Sequence, residues 1–322
     1  MRRLKILTWH TRGSYLYYLS QAPHDFFVLS QPGRPPARRC GNFAWGDNVH
    51  DLPAKAACAQ QFDCILFQDR DGWENGQFDF LTPAQRALPR IYLEHDPPQP
   101  HPTDTPHLVD DPNVLLVHVT PFNALMWDNR RTPTRVIEHG VMVPESVRYL
   151  GNLERGLVIG NHLGRRGRRM GLDLFLGART ELPLDLVGLA SEALGGLGEV
   201  PHAQLPALAT RYRFLFSPSR YASPGLDVIE AMMAGVPVVA LATNEMATVI
   251  DDGANGFIDT RIDRLFDCMR DLLRSPSLAR DLGQAARRRA QERFSIERFS
   301  GDWDAAFRAV TGTPGRRNST CD

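Results

Sequence analysis

The sequence predicts an α/β protein built on two parallel sheets, and three observations carry the prediction. Short apolar runs recur along the chain with helical or loop stretches between them, the pattern of buried parallel strands. A length of 322 residues accommodates two domains of about 150 residues each. A more polar stretch, Ser146 to Arg155, separates the two sets of runs and marks a boundary.

The runs come in order. The first half contains Leu4–Thr8, Phe26–Leu29, Cys64–Gln68, Arg90–Glu94, Val114–Val119 and Arg135–Glu138. The second half contains Leu157–Gly160, Leu184–Gly188, Arg213–Phe216 and Val236–Leu241. Beyond Arg261 the pattern turns helical, with Leu265, Cys268, Met269, Leu272 and Leu273 at helix spacing. The expected domains are residues 1–148 and 149–296, followed by a terminal helix over 297–311. The short polar stretch 312–322 is expected to be a disordered tail.

Composition narrows the function. Hydrophobic residues at 43% and charged residues at 23% indicate a soluble globular protein. Net charge is zero, so bulk electrostatics favours neither nucleic acid nor an anionic membrane. Lys5 and Lys55 are the only lysines, so any phosphate clamp must use arginine or backbone N–H groups. Cys40, Cys58, Cys64, Cys268 and Cys321 follow neither metal-ligand nor disulfide spacing, which fits a reduced cytoplasmic compartment. The opening MRRLKILTWHTRG has too short an apolar run for a signal peptide, and no segment is long enough to span a bilayer. A membrane-bound acceptor would be met peripherally, at the inner face of the membrane.

The most informative stretch is Phe214–Gly256. A strand ends in Ser217-Pro218-Ser219, and Ser223-Pro224-Gly225 opens a helix carrying Glu230. Ser223 suits the N-cap and Pro224 the first helical position. Gly225 allows close approach of a ligand to the backbone. Leu226, Ile229 and Met233 share a face for packing on a sheet. A helix N-terminus at the end of a buried parallel strand is suited to an anion, and a carboxylate one turn in can hold sugar hydroxyls. These features alone fit equally well an ordinary strand–helix–strand unit with a surface glutamate.

Ser217-Pro218-Ser219, Gly225-Leu226, Glu230-Ala231-Met232 and Gly235-Val236-Pro237-Val238-Val239 together resemble the donor-site signature of family-4 retaining glycosyltransferases of the GT-B fold. The turn Asp252-Gly253-Ala254-Asn255-Gly256 resembles the segment that follows it. The resemblance implies two Rossmann-like domains facing a cleft, with the nucleotide sugar held by the second. It gives Glu230 the ribose hydroxyls, and Ser223, Gly225 and Leu226 the diphosphate side. One position departs: the first glutamate of the family's Glu-x7-Glu pair is here Ala222. That glutamate contacts hydroxyls of the donor sugar in the family. Its absence suggests a deoxysugar donor, a substitute such as Asp227 or Asn244, or lost catalysis.

Three further places carry candidates. His95 follows the strand Arg90–Glu94 and matches the family histidine that contacts the donor sugar near the reacting carbon. A hydrogen-bonded loop histidine paired with Asp96 is the plainer reading. Glu94 and Asp96 are lesser candidates for acceptor binding or base work. Gly13 lies in the loop after the first strand, where the family places a glycine-rich cleft lining; a plain strand–helix turn explains it as well. The run Asn161–Gly171 holds Arg165, Arg166, Arg168 and Arg169. The family binds the donor diphosphate here with an arginine and a lysine; Arg165, Arg166 and Arg169 are the candidates, since a guanidinium fork suits phosphate. A solvated loop is the alternative for those that do not.

Other classes lack their marks. No Gly-x-Gly-x-x-Gly follows the first strand, and no Walker loop, nucleophile elbow or His-Glu-x-x-His is present. Arginines without interleaved aromatics argue against nucleic acid. The resemblance thus implies a metal-independent, retaining hexosyl- or deoxyhexosyltransferase with no cofactor. Its substrate would be a UDP, GDP or dTDP sugar. The acceptor would be a hydroxyl of a glycan, a lipid-linked or a small molecule, in surface polysaccharide or glycoconjugate synthesis. The alternative is a catalytically impaired GT-B homologue that binds nucleotide sugar or acts as a scaffold subunit.

Overall fold

The computed structural model describes residues 2–9, 14–30 and 43–312. The chain divides into two compact units, Met1–Gly140 with Ile296–Asp322, and Val141–Ser295. Each is built on one parallel sheet, giving the α/β class the apolar runs predict.

The first sheet has seven strands in the order β3-β2-β1-β4-β5-β6-β7. They are β1 (Lys5–Trp9), β2 (Asp25–Ser30), β3 (Val49–Pro53), β4 (Cys64–Phe67), β5 (Arg90–Glu94), β6 (Val114–His118) and β7 (Thr134–Val136). The central strands are apolar on both faces: Ile6, Leu7, Ile65, Leu66, Ile91 and Leu93 are all out of contact with solvent. Full burial of one such side chain is worth about 1.5–3 kcal/mol, which fixes these strands at the centre.

The second sheet has five strands in the order β12-β11-β10-β8-β9. They are β8 (Leu153–Ile159), β9 (Leu184–Val187), β10 (Tyr212–Ser217), β11 (Val238–Leu241) and β12 (Gly256–Asp259). Val158, Phe214, Phe216, Val239 and Leu241 form its core with Leu265, Met269 and Leu272 of the helix Ile262–Arg274. Gly235, at φ +85°, ends the helix Leu226–Ala234. There the Val236 N–H donates to Ala231 O and the Gly235 N–H to Met232 O, both at 2.9 Å, the double bond of a glycine C-cap.

Two strands escape the sequence pattern, β3 and β12. Both lie at sheet edges, where one neighbour is missing and a continuous apolar run is not required. Pro53 closes β3, a place that only an edge tolerates.

The units divide at Gly140/Val141, whereas the polar stretch suggested 148/149. Val141 N–H donates to Phe294 O at 3.1 Å, and the amides of Leu150 and Gly151 both donate to Thr210 O at 2.9 Å. Backbone bonding therefore ties this polar segment to the second unit. The helix Ile296–Thr311 groups with the first unit. Its Trp303 is fully buried and donates from Nε1 to Tyr15 Oη at 3.2 Å. Its Arg298 donates from Nη2 to Glu138 O at 3.0 Å and also to His139 O. The expected tail from 313 onward lies outside the described residues, as does Gly13.

Candidate functional site

In the second unit the chain runs from β8 to β9 on one side, then returns to β10 on the other. The point between β8 and β10 is a topological switch, where the carboxyl ends of the strands leave a crevice for a ligand. Three loops follow those strand ends, over 160–171, 218–225 and 242–245. They are bonded to one another. Arg220 N and Tyr221 N donate to Arg169 O at 2.9 and 3.2 Å. Thr243 Oγ1 donates to Ser219 O at 3.0 Å, and Asn244 Nδ2 to Arg220 O at 3.1 Å. A Cβ on Gly171 would stand 2.1 Å from Pro218 O, so only glycine lets the first two loops approach this closely.

Asp173 is the anchor of this assembly. Its carboxylate takes both nitrogens of the Arg220 fork, at 2.6 and 2.9 Å, and Arg168 Nη1 at 2.7 Å. Arg220 Nη1 also donates to Arg168 O at 2.8 Å. The hydrogen bond from Arg220 is the main reason the Asp173 carboxyl titrates below the usual range.

The arginine-rich loop thus separates into roles. Arg168 is committed to Asp173. Arg169 holds the second loop through its carbonyl, and its charge acts on Tyr221. Arg165 is exposed. Arg166, in the short helix Leu163–Arg166, is the arginine whose charge reaches the start of the helix Leu226–Ala234.

That helix does not begin as the sequence suggests. Its N-cap is Gly225, with φ −67° and ψ 150°, and Leu226 is the first helical residue. Ser223 and Pro224 lie in the extended approach. Proline disfavours helical backbone in the residue before it, which keeps Ser223 out of the helix. In the first turn the Val228 N–H donates to Gly225 O at 3.1 Å. The Asp227 carboxylate lies beside Gly225. Its Oδ1 lies 1.8 Å from where a Cβ on Gly225 would be, so the bare glycine makes room for it. Burial, then the nearby Glu230 charge, push the Asp227 carboxyl up to about 6.

Glu230 is 2% exposed, with Oε1 2.7 Å from His202 Nε2. His202 sits in a single turn, His202–Gln204, far from Glu230 in sequence. Neither His202 nor Asp173 carries a sequence signal; only the packing of β8, β10 and their loops brings them to the site. Ala222 is buried at 7% exposure. Glu230, Asp227, Gly225, Leu226 and Arg166 are thus brought together, with Ser223 beside them. Among the described residues no group of three or more His, Cys, Asp or Glu is arranged to hold a metal ion.

In the first unit, His95 follows β5 at the carboxyl edge of the sheet. Tyr15 meets it edge-on with ring centroids 4.9 Å apart, and meets His139 and Phe299 at 5.6 and 5.5 Å. Asn123 Nδ2 donates to His95 O at 3.2 Å. Burial drives the His95 pKa down, keeping the ring neutral near neutral pH. Glu94 is engaged in the fold: Oε1 accepts the Asp96 N–H at 3.0 Å, and Oε2 is 3.3 Å from His107 Nε2. His107 Nδ1 accepts the Val109 N–H, so the ring proton lies on Nε2 and is donated to Glu94.

Residues 190–289 match the family model for glycosyl transferases group 1. A D-inositol 3-phosphate glycosyltransferase of Kribbella flavida is 33% identical over 113 residues, 34% of this chain. The matched stretch covers 26% of that relative, so the chain spans about a quarter of its length. A sucrose-phosphate synthase from Thermosynechococcus elongatus has a similar structure, with a TM-score of 0.71 at 18% identity over 96% of this chain and 100% of that one. Anabaena HepE in complex with UDP and glucose gives 0.66 at 14% identity over 95% of this chain and 100% of that one. The fold is GT-B.

Proposed function

We propose that this chain is a glycosyltransferase that moves a sugar, with retention, from a nucleotide-sugar donor to a hydroxyl acceptor. The observation that carries the reading is the crevice at the β8/β10 switch point. It brings the Arg166 charge to a helix amide end and the buried Glu230, both of which lie within the group 1 match. Glu230 would take ribose hydroxyls. The Gly225–Leu226 amides, with Arg166, would take the charge that grows on the diphosphate as the glycosidic bond breaks. Charge neutralisation by amides and a guanidinium requires no metal. In front-face departure the leaving phosphate receives the acceptor proton, so no protein nucleophile is required. His95, held neutral, would hydrogen-bond the transferred sugar. The acceptor would be a glycan, lipid-linked or small-molecule hydroxyl in surface polysaccharide or glycoconjugate synthesis, reached from the cytoplasm. No helix among the described residues is long and apolar enough to cross a membrane, so a lipid-linked acceptor would be met peripherally.

The similar chains support this reading in kind: one relative is a glycosyltransferase, and HepE binds UDP and glucose. Calorimetry with UDP, GDP and dTDP sugars, followed by NMR of the anomeric proton of any product, tests it. Binding of one donor and a product of unchanged anomeric configuration supports it; no binding of any donor refutes it. Ala222 favours a second reading, a donor-binding subunit without turnover, because the residue that would hold the sugar hydroxyls has no polar group. Donor binding with no transfer or hydrolysis would select that reading.

A further inference from the structure

The first unit carries an open hollow that the transfer reading does not use. It measures about 430 Å3 and is lined by Trp73, Glu74, Gln77, Phe78, Arg86 and Arg90, a size that suits a small ligand. Its aromatic side is built by an unusual turn. Over Gly72–Gly76 the backbone is π-helical, and the Gln77 N–H reaches back five residues to Gly72 O. Such widened turns are rare and recur at functional sites. Gly72 and Gly76 lie against Trp9, where a Cβ would stand 3.3 and 2.7 Å from its indole. Trp73 is braced edge-on by Phe67 and Tyr92, with ring centroids 5.0 and 6.0 Å away. Phe78 is 62% exposed, so a large ring stands open to water beside a braced one.

The charged side is also held in place. Arg86 stands over the Phe78 ring at 5.2 Å and Arg90 over the Trp73 ring at 5.7 Å, as cation–π contacts. Arg90 pairs with Asp111 at 2.8 Å, and Glu74 pairs with Arg70 at 3.2 Å. Arg86 donates to Leu81 O at 2.7 Å and forms no ion pair among the described residues. The hollow therefore keeps one uncompensated positive charge. The C–H face of a pyranose packs on an exposed ring, and a sugar hydroxyl can bond the Glu74 carboxylate. A carboxylate on the same sugar suits the Arg86 guanidinium fork. We propose that this hollow binds an acidic glycan, with the ring of one uronate packed on Phe78 and its carboxylate on Arg86. The choice of a sugar, among ligands with a flat apolar face and a carboxylate, rests on the glycosyltransferase reading above.

The test is calorimetry with three probes: a tetrasaccharide of β-1,4-linked glucuronate, its carboxyl-reduced counterpart cellotetraose, and inorganic phosphate. Wild type, Phe78→Ala and Arg86→Gln are compared, with circular dichroism as the check of folding; either folded variant suffices. The glucuronate tetrasaccharide should bind wild type and weaken about tenfold or more in each variant, through loss of the ring contact or of the charged hydrogen bond. Cellotetraose should bind wild type about tenfold more weakly than the glucuronate probe and be insensitive to Arg86→Gln. No binding of the glucuronate probe, or variants that bind it as wild type does, overturns the proposal. Equal affinity for cellotetraose removes the carboxylate from it, and equal affinity for phosphate removes the sugar; either overturns it. UDP-, GDP- and dTDP-glucose are titrated into wild type in parallel. Binding of the glucuronate probe with no binding of any nucleotide sugar would refute the donor crevice and leave the hollow standing.

Discussion

Glu230 Oε1 and His202 Nε2 stand 2.7 Å apart, joining a helix in the carboxyl-edge crevice to a turn 28 residues earlier. The Glu230 side chain is 2% exposed and that of His202 is 20% exposed, so the histidine shields the carboxylate from water. A carboxylate this deep is tolerated only with donors around it. The same bond presets the orientation in which Glu230 would meet a ribose.

Removing the histidine should therefore cost stability as well as affinity. His202→Ala is expected to lower the free energy of unfolding by about 1–3 kcal/mol, the cost of an under-satisfied buried polar group. His202→Gln, which keeps an N–H donor, should recover part of it in urea denaturation. Glu230→Ala should weaken nucleotide-sugar binding by about tenfold or more, the scale of a lost hydrogen bond to a charged group. Unchanged calorimetric affinity would exclude the ribose role.

Gly171 should tolerate no side chain. At φ +79°, with Pro218 O 2.1 Å from the Cβ position, alanine adds a backbone cost and a clash. The left-handed backbone alone costs about 1–2 kcal/mol. Gly171→Ala should lower Tm measurably in a thermal scan and push the 218–225 loop off its seat. A wild-type Tm would show that the loops can separate freely.

Asp173 should stabilise the protein in a pH-dependent way. Its folded pKa is depressed, chiefly by the hydrogen bond from Arg220. Such a group contributes stability above its unfolded pKa and loses it as pH falls through the folded one. Asp173→Asn should be less stable than wild type at neutral pH by roughly 0.5–1 kcal/mol, the range for a partly exposed ion pair. The gap should close in acid, below the usual carboxylate range. Urea midpoints that differ equally at neutral and acid pH would contradict the pairing.

His24 and His118 should set the earlier part of the same acid sensitivity, at higher pH than Asp173. Both are buried, and desolvation lowers each to about 4 from the ordinary 6.5. The unfolded chain takes up these protons first. Stability is therefore complete above about 6.5 and falls until the folded pKa values near 4 are reached. His118→Gln should flatten part of that slope in denaturation curves taken between these limits; an unchanged slope would place the titration elsewhere.

His95 should matter to transfer more than to donor affinity. His95→Ala is expected to lower kcat by about a hundredfold, as for loss of one donor to a developing charge. Nucleotide affinity should change little. Because burial keeps the ring neutral, kcat should show no inflection at the ordinary histidine pKa. An inflection there that disappears in His95→Ala would mean the ring titrates normally and is open to water.

The sequence alone determined the two parallel sheets and their central strands, because a strand buried on both faces must be apolar throughout. It determined the helix Ile262–Arg274, whose Leu265, Cys268, Met269, Leu272 and Leu273 are all buried as their spacing requires. It also located the donor-type motif, since Gly225, Leu226, Glu230 and Gly235 form one local unit. Tertiary structure decided what lies across that unit. Edge strands β3 and β12 carry too little burial to leave a pattern. The helix Leu226–Ala234 starts two residues later than Ser223 implies, because Pro224 disfavours helical backbone in the residue before it. Which arginine faces the helix, that Asp173 binds two others, and that His202 meets Glu230 all depend on loops brought together by strand order. Charges and caps formed within a turn can be read in sequence. Those made between loops far apart in the chain exist only once the sheet has set their positions.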